Sequence, residues 1–438
     1  MSNVFPRQIT NPPIKAVSSD GCYIIDENGK QYFDGSGGAA VSCLGHGDPD
    51  VIKAVQDQTS KMAFAHTGFF SSDPAEELAE LLIDNAPGEL DRVYFVSGGS
   101  EAIEAAIKLA RQFHIENGEP SRHHIIARKQ SYHGNTLGAL AAGGNKWRRN
   151  QFEPILIDVS HISPCYEYVD KLKEETSFDY GQRVAQELED EILRLGSDKV
   201  MAFIVEPVVG ATMGAVPAVP GYFKKVRNIC NKYGVLLILD EVMCGMGRTG
   251  HLFASEFDEI APDILCIAKG LGAGYQPIGA MLCSKDIYDR LGKGSGFFQH
   301  GHTYMGHPVA CAAGLAVLKA ILNRKLLSSI NNKSNQLFSC LKTQLEHPNI
   351  GDIRGRGLFI GIEIVKNIET KKPFDPNLKV AASIKNAAFE AGLICYPMSG
   401  TRDGKWGDHI LLAPPFIINE NQIIELVNKL SIAIESVK

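Results

Sequence analysis

A chain of 438 residues, 44% hydrophobic and 21% charged, is long enough for two or three packed regions and has the composition of a globular protein with a large core. Its net charge of −6 speaks against a nucleic-acid partner. With no secretory h-region and no run of membrane-spanning length, no membrane association and a cytoplasmic location are expected. Ten cysteines without a CxxC pair or a metal-ligand spacing set aside a disulfide framework and a zinc site.

The first forty-odd residues read as a short hairpin turning at Asp26–Gly29, then a glycine cluster at Gly35–Gly38 that is either a pocket floor or a tight turn. The spacing predicts a helix over Pro49–Lys61. A second follows over Pro74–Asn85, with Ser72 or Asp73 as cap and Pro74 at its first position. RVYFVSGGSEAIEAAIKLARQFH carries a β-rich stretch, Val93–Val96, through Ser97-Gly98-Gly99-Ser100 into a helix. The free N–H groups and positive macrodipole end at such a helix start hold phosphate, and Ser100 adds a hydroxyl. Another short strand, His124–Arg128, leads into SYHGNT, whose Tyr132 is either a stacking platform for a flat ring or core packing. The basic cluster Lys146, Arg148 and Arg149 reads as a solvated surface turn, and residues 151–180 as loop-rich.

After a helix at 181–195, three continuous apolar runs end in ionisable groups: VMAFIV in Glu206, GVLLIL in Asp240 and ILCIA in Lys269. Continuous apolar strands separated by helices indicate a parallel sheet covered on both faces. Ligands bind beyond the carboxyl ends of such strands, so the two acids and the lysine should converge on one cleft. A lysine brought to the end of a buried strand either snorkels to solvent or is deprived of water and made nucleophilic; its company favours the second. Gly245-Met-Gly247-Arg-Thr-Gly250 fits a dinucleotide fingerprint, but DEVMC separates it from its strand and no helix start follows, so a dehydrogenase is set aside. His300, His302 and His307 lack helical i, i+4 spacing and a partner carboxylate, and no metal is expected. Pro308–Leu322 is a helix of small residues suited to connect two domains. Helix 325–345, strand GLFIGIEIV, helix 378–391, strands LICYP and HILLAPPF, and helix 420–436 alternate as a smaller α+β domain.

With Lys269, Asp240, Glu206, SGGSEA and HTYMGHP on the page, the chain resembles the class III (omega-type) aminotransferases from about Asp20 to its C-terminus. It is most similar to the members that act on amines or omega-amino acids with pyruvate. The resemblance implies an α/β protein of the pyridoxal-phosphate-dependent fold type I. Residues 1–60 would form an N-terminal segment packing with the small domain, 61–310 a large cofactor-binding domain with a mainly parallel mixed sheet, and 311–438 the small domain. Lys269 would hold pyridoxal 5'-phosphate covalently and carry the proton of the 1,3-shift. Asp240 would pair with the ring nitrogen, Val242 and Tyr132 would sandwich the ring, His133 would lie beside it and Glu206 close by. Gly99 and Ser100 would hold the phosphate, with Thr303 completing that site from the second subunit of a homodimer, dimers or tetramers both being compatible. Members acting on GABA or ornithine resemble one another in an arginine that here is Leu411. The resemblance therefore turns to Arg402, in the insertion PMSGTRDGKWGD, as the mobile arginine that takes the keto-acid carboxylate, or else a solvated loop residue. Phe69, Phe70 and Trp406 would be apolar walls for the amine. A racemase, decarboxylase or lyase on the same scaffold, and a non-catalytic scaffold protein, are the alternatives.

Overall fold

The computed structural model describes residues 3–437. Its centre is a seven-stranded sheet, numbered here within the sheet: β1 (Leu90–Val96), β2 (His124–Arg128), β3 (Val159–Ile162), β4 (Val200–Val205), β5 (Leu236–Asp240), β6 (Ile264–Ile267) and β7 (Gly279–Ser284). The spatial order is β1-β7-β6-β5-β4-β2-β3, with β7 antiparallel to both of its neighbours and the other pairings parallel. The α/β architecture expected from the sequence is therefore present.

Side chains alternate across the sheet, and both faces are covered. On β5, Ile238 joins a core with Ile103 and Ala106 of the helix Gly99–Glu116. Its neighbours Leu237 and Leu239 point the other way, into a core with Val184 of the helix Ser177–Leu195 and Val226 of the helix Tyr222–Tyr233. All five residues of β5 are buried, so its one charged member, Asp240, is held where the strand leaves the hydrophobic layers.

The N-terminal strands Ala16–Asp20, Tyr23–Asp26 and Gln31–Asp34 form a small sheet whose fourth member, Leu393–Ile394, comes from the C-terminal region and pairs in parallel with Gln31–Asp34. A separate antiparallel sheet takes Ile350–Arg356, Phe359–Ile364, Asp408–Leu412 and Tyr396–Ser399 in that order. The helix Pro49–Lys61 falls where its periodicity placed it, with the Asp48 carboxylate accepting from the N–H groups of Asp50 and Val51. The expected boundary at residue 310 lies inside the unbroken helix Pro308–Asn323, which packs on Pro49–Lys61 and Asp73–Ile83.

Several strands depart from the sequence reading. β3 occupies part of the stretch expected to be loop-rich, β7 was not anticipated, and LICYP is broken at Cys395 into two strands that join different sheets. The G-x-G-x-x-G stretch is a turn with Gly247 and Gly250 at φ +91° and +93°, and it opens no α-helix. Among the described residues no helix is long and apolar enough to cross a membrane, and no group of three or more His, Cys, Asp or Glu is placed to hold a metal.

Candidate active site

The carboxyl ends of β4, β5 and β6 open into one cavity of about 410 Å³. Glu206, Asp240 and Lys269 all line it, as parallel strands delivering their last residues to the same side require. Lys269 sits two residues beyond β6 with φ +46°, a left-handed backbone that costs an L-residue roughly 1–2 kcal/mol. Loss of water lowers its pKa from the ordinary lysine value to about 8; the Asp240 charge opposes this and the Arg148 charge adds to it. The neutral, nucleophilic amine is thereby more accessible than on an ordinary lysine.

Asp240 is 4% exposed. Its Oδ2 lies 2.8 Å from Nδ1 of His133, and its Oδ1 accepts from the Val242 N–H at 3.0 Å. A carboxylate has about four lone-pair sites, so both oxygens retain room for another donor inside the cavity. Nε2 of His133 and Oε2 of Glu206 are buried without a hydrogen-bond partner. Burial pushes the Glu206 carboxyl up to about 7, with the Asp240 charge reinforcing the shift and His133 and Arg128 opposing it.

Facing these groups is the start of the helix Gly99–Glu116. Gly98, its cap residue, supplies no side-chain bond, so the first-turn N–H groups have no side-chain cap. Ser100 Oγ accepts from the Asn135 N–H at 3.1 Å and lies 3.0 Å from Asn135 Oδ1, tying the helix start to the loop after Tyr132. That approach requires Gly134, which has φ +141° and whose notional Cβ would fall 2.5 Å from Ser100 Oγ. On Gly99, a Cβ would meet Val242 Cγ1 at 2.8 Å, so the floor admits no side chain there. The cavity thus combines an anion-binding helix start, two walls in Tyr132 and Val242, a carboxylate with unused acceptor capacity and one desolvated amine. These fit pyridoxal phosphate group by group: phosphate, ring faces, ring nitrogen and aldehyde.

Of the residues singled out in the sequence, Gly99, Ser100, Tyr132, His133, Glu206, Asp240, Val242 and Lys269 line this cavity; Thr303, Phe69, Phe70, Arg402 and Trp406 do not. Thr303, Phe69 and Phe70 are exposed on loops, and Trp406 is more than a third exposed. Arg402 is turned elsewhere: its guanidinium donates to the Lys371 carbonyl, and its charge acts on Tyr166, Tyr168 and Asp170. Leu411 is fully buried in an apolar cluster with Val208 and Cys244, which form part of the cavity wall.

The cluster read as a solvated turn needs correcting. Arg149 donates to the carbonyls of Ala141 and Gly143, and Arg148 lies over the Tyr132 ring, its Cζ 4.6 Å from the ring centre. The sequence signal available was position: two arginines soon after a strand-end aromatic, in a short turn that has to fold back on it.

Fold and site together define a pyridoxal-phosphate-dependent enzyme of the aminotransferase type. The chain belongs to the class III aminotransferases, matching the family "Aminotransferase class-III" over residues 4–434. An uncharacterized aminotransferase of Schizosaccharomyces pombe is 46% identical, the match covering 97% of this chain and 93% of the relative. The crystal structure of an (S)-enantioselective omega-transaminase from Thermomicrobium roseum superposes with a TM-score of 0.93 at 34% identity, covering 100% of this chain and 97% of that one. An omega-transaminase from Pseudomonas jessenii, solved in complex with PMP, gives 0.93 at 31% identity over 99% and 96% of the two chains.

Proposed function

We propose that the enzyme moves an amino group from a primary amine or omega-amino acid to an α-keto acid, pyruvate foremost, in two alternating half-reactions. The observation that carries this reading is the convergence of Lys269, Asp240 and the uncapped start of Gly99–Glu116 on one cavity. Bound there, pyridoxal phosphate would supply an electron sink for the carbon that loses its proton.

The residues divide the remaining work. Lys269 would hold the cofactor covalently, and its Nζ would take the proton from the substrate carbon and return it at the other end of the shift. Asp240, braced by His133 and the Val242 N–H, keeps the ring nitrogen protonated. Tyr132 and Val242 would hold the ring between them, and Gly99 and Ser100 would bind the phosphate. Glu206, whose burial raises its carboxyl to about 7, would carry a proton more readily than an ordinary glutamate close to the bound ring. Thr303, Phe69 and Phe70 reach a cavity from a second copy of the chain in a homodimer; their exposure, with Phe69 at 81%, supports this.

Amine alone should convert the bound cofactor to its amino form and abolish the absorbance of the lysine-bound form, which returns only when keto acid is added. Spontaneous return without keto acid would instead indicate a racemase, lyase or decarboxylase. A second measurement follows from the depressed Lys269 pKa. Only the neutral amine attacks the aldehyde, so apoprotein should take up pyridoxal phosphate faster as pH rises, about tenfold per unit below about 8, levelling above it. A rate flat through pH 7–9 would contradict that environment.

A further inference from the structure

The apolar surroundings of Leu411 leave the keto-acid carboxylate without a cation on that side of the cavity, and Arg402 is engaged with the Lys371 carbonyl. Arginine is the side chain suited to a carboxylate, because its planar fork can donate two parallel hydrogen bonds. Every other buried or half-buried arginine among the described residues is engaged. Arg128 donates to the Glu206 carbonyl, Arg248 to those of Leu358 and Pro414, Arg354 to Glu363, and Arg356 to Asp258.

Arg148 is different. It is half-buried and its guanidinium makes no hydrogen bond or ion pair among the described residues; its buried Nε lacks a partner, as do those of Arg128, Arg248 and Arg402. What holds it is the face of Tyr132, with Trp147 further off at 5.7 Å. Stacking on aromatic rings leaves the in-plane N–H donors of a guanidinium free. Tyr132 lines the cavity; Arg148, like Arg402, lies outside its lining, directly behind the Tyr132 ring, and its charge is felt at Lys269. A charge kept partly out of water with no counterion is costly, and a substrate carboxylate would relieve that cost.

We propose that Arg148 is the specificity-determining cation of this site, receiving the carboxylate of the keto acid and of carboxylate-bearing amine donors. The proposal rests on the aminotransferase reading and adds the residue that selects acidic substrates. Tyr132 would hold the guanidinium in position while the cavity is empty, and the side chain's flexible stem would let it follow substrates of different length.

The test uses Arg148→Met, which keeps an apolar stem against Tyr132, with Arg148→Ala alongside. With holoenzyme, the ratio of kcat/KM for pyruvate to that for a carboxylate-free aldehyde should fall about 10- to 100-fold, the scale of lost hydrogen bonds to a charged group. Propionate, which cannot react, should lose affinity to the same degree when its binding is followed through the cofactor absorbance; propionamide should not. An equal loss for acidic and neutral substrates would reduce Arg148 to a structural role and overturn the proposal. So would a selective loss in Arg402→Ala with none in the Arg148 variants. Propionate binding stays readable even if no amine donor is turned over, so failure of the aminotransferase reading and failure of this assignment are separable.

Discussion

Lys269→Ala should lower kcat by about 10⁴-fold, the upper end of what one positioned acid–base group contributes. Among the described residues no other lysine lines the cavity, so none of them can take over the covalent hold. The fold should tolerate the change, because alanine and lysine pay a similar cost for φ +46° and the wild-type amine is already deprived of water. Thermal stability should therefore be preserved while activity vanishes. After borohydride reduction, the cofactor's mass should appear on the wild-type peptide containing Lys269 and on no peptide of the variant. A small primary amine in the buffer should restore part of the proton transfer. A tag on any other lysine would dismantle the functional reading as a whole.

Asp240→Asn should lower kcat by about 10³-fold, the scale of losing one preorganised electrostatic stabiliser. The substitution conserves shape and removes charge, so the effect falls on the ring nitrogen rather than on packing. A second consequence has a fixed sign. The Asp240 charge raises the Lys269 pKa against the larger effect of burial. Removing it should move the pH midpoint of cofactor uptake by apoprotein below about 8, whereas loss of the Arg148 charge should move it upward. Opposite displacements in these two variants would place both charges at the lysine; displacements of the same sign would refute that electrostatic arrangement.

The parts of the site that were legible in the sequence were those fixed by a continuous apolar run. β4, β5 and β6 are buried along their whole length, so each announces both its strand and the polar residue that ends it. The uncapped helix start at Gly99 was legible because a β-rich stretch, two glycines and an alanine-rich helix follow one another without interruption. What escaped has physical reasons. β3 reads Val-Ser-His-Ile at the sheet edge, too short and too polar for a run. Ile350–Arg356 contains two glycines and three charged residues and is nowhere fully buried, so its pairing comes from the neighbouring strand rather than from its own pattern. Arg148 escaped because a charge pattern cannot distinguish solvent from the face of an aromatic ring. Arg402 was favoured as the sole arginine of its insertion, but the carbonyl of Lys371, a distant position in sequence, captures it.

The reversed direction of β7 has a consequence for how this enzyme can diverge. Because β7 runs against β6, the segment joining them leaves the cavity at Lys269 and returns to it at Gln276–Ile278, which form another stretch of its wall. Tyr275, next to Gln276, is anchored to the Asp48 N–H and the Gly45 carbonyl, and Gly272 leaves no space for a side chain against Gln276. Lengthening or shortening this excursion would disturb the reactive amine and the opposite wall together. New substrate ranges are therefore more accessible through elements that approach from outside it, such as the short turn bearing Arg148, than through the span that begins at the lysine.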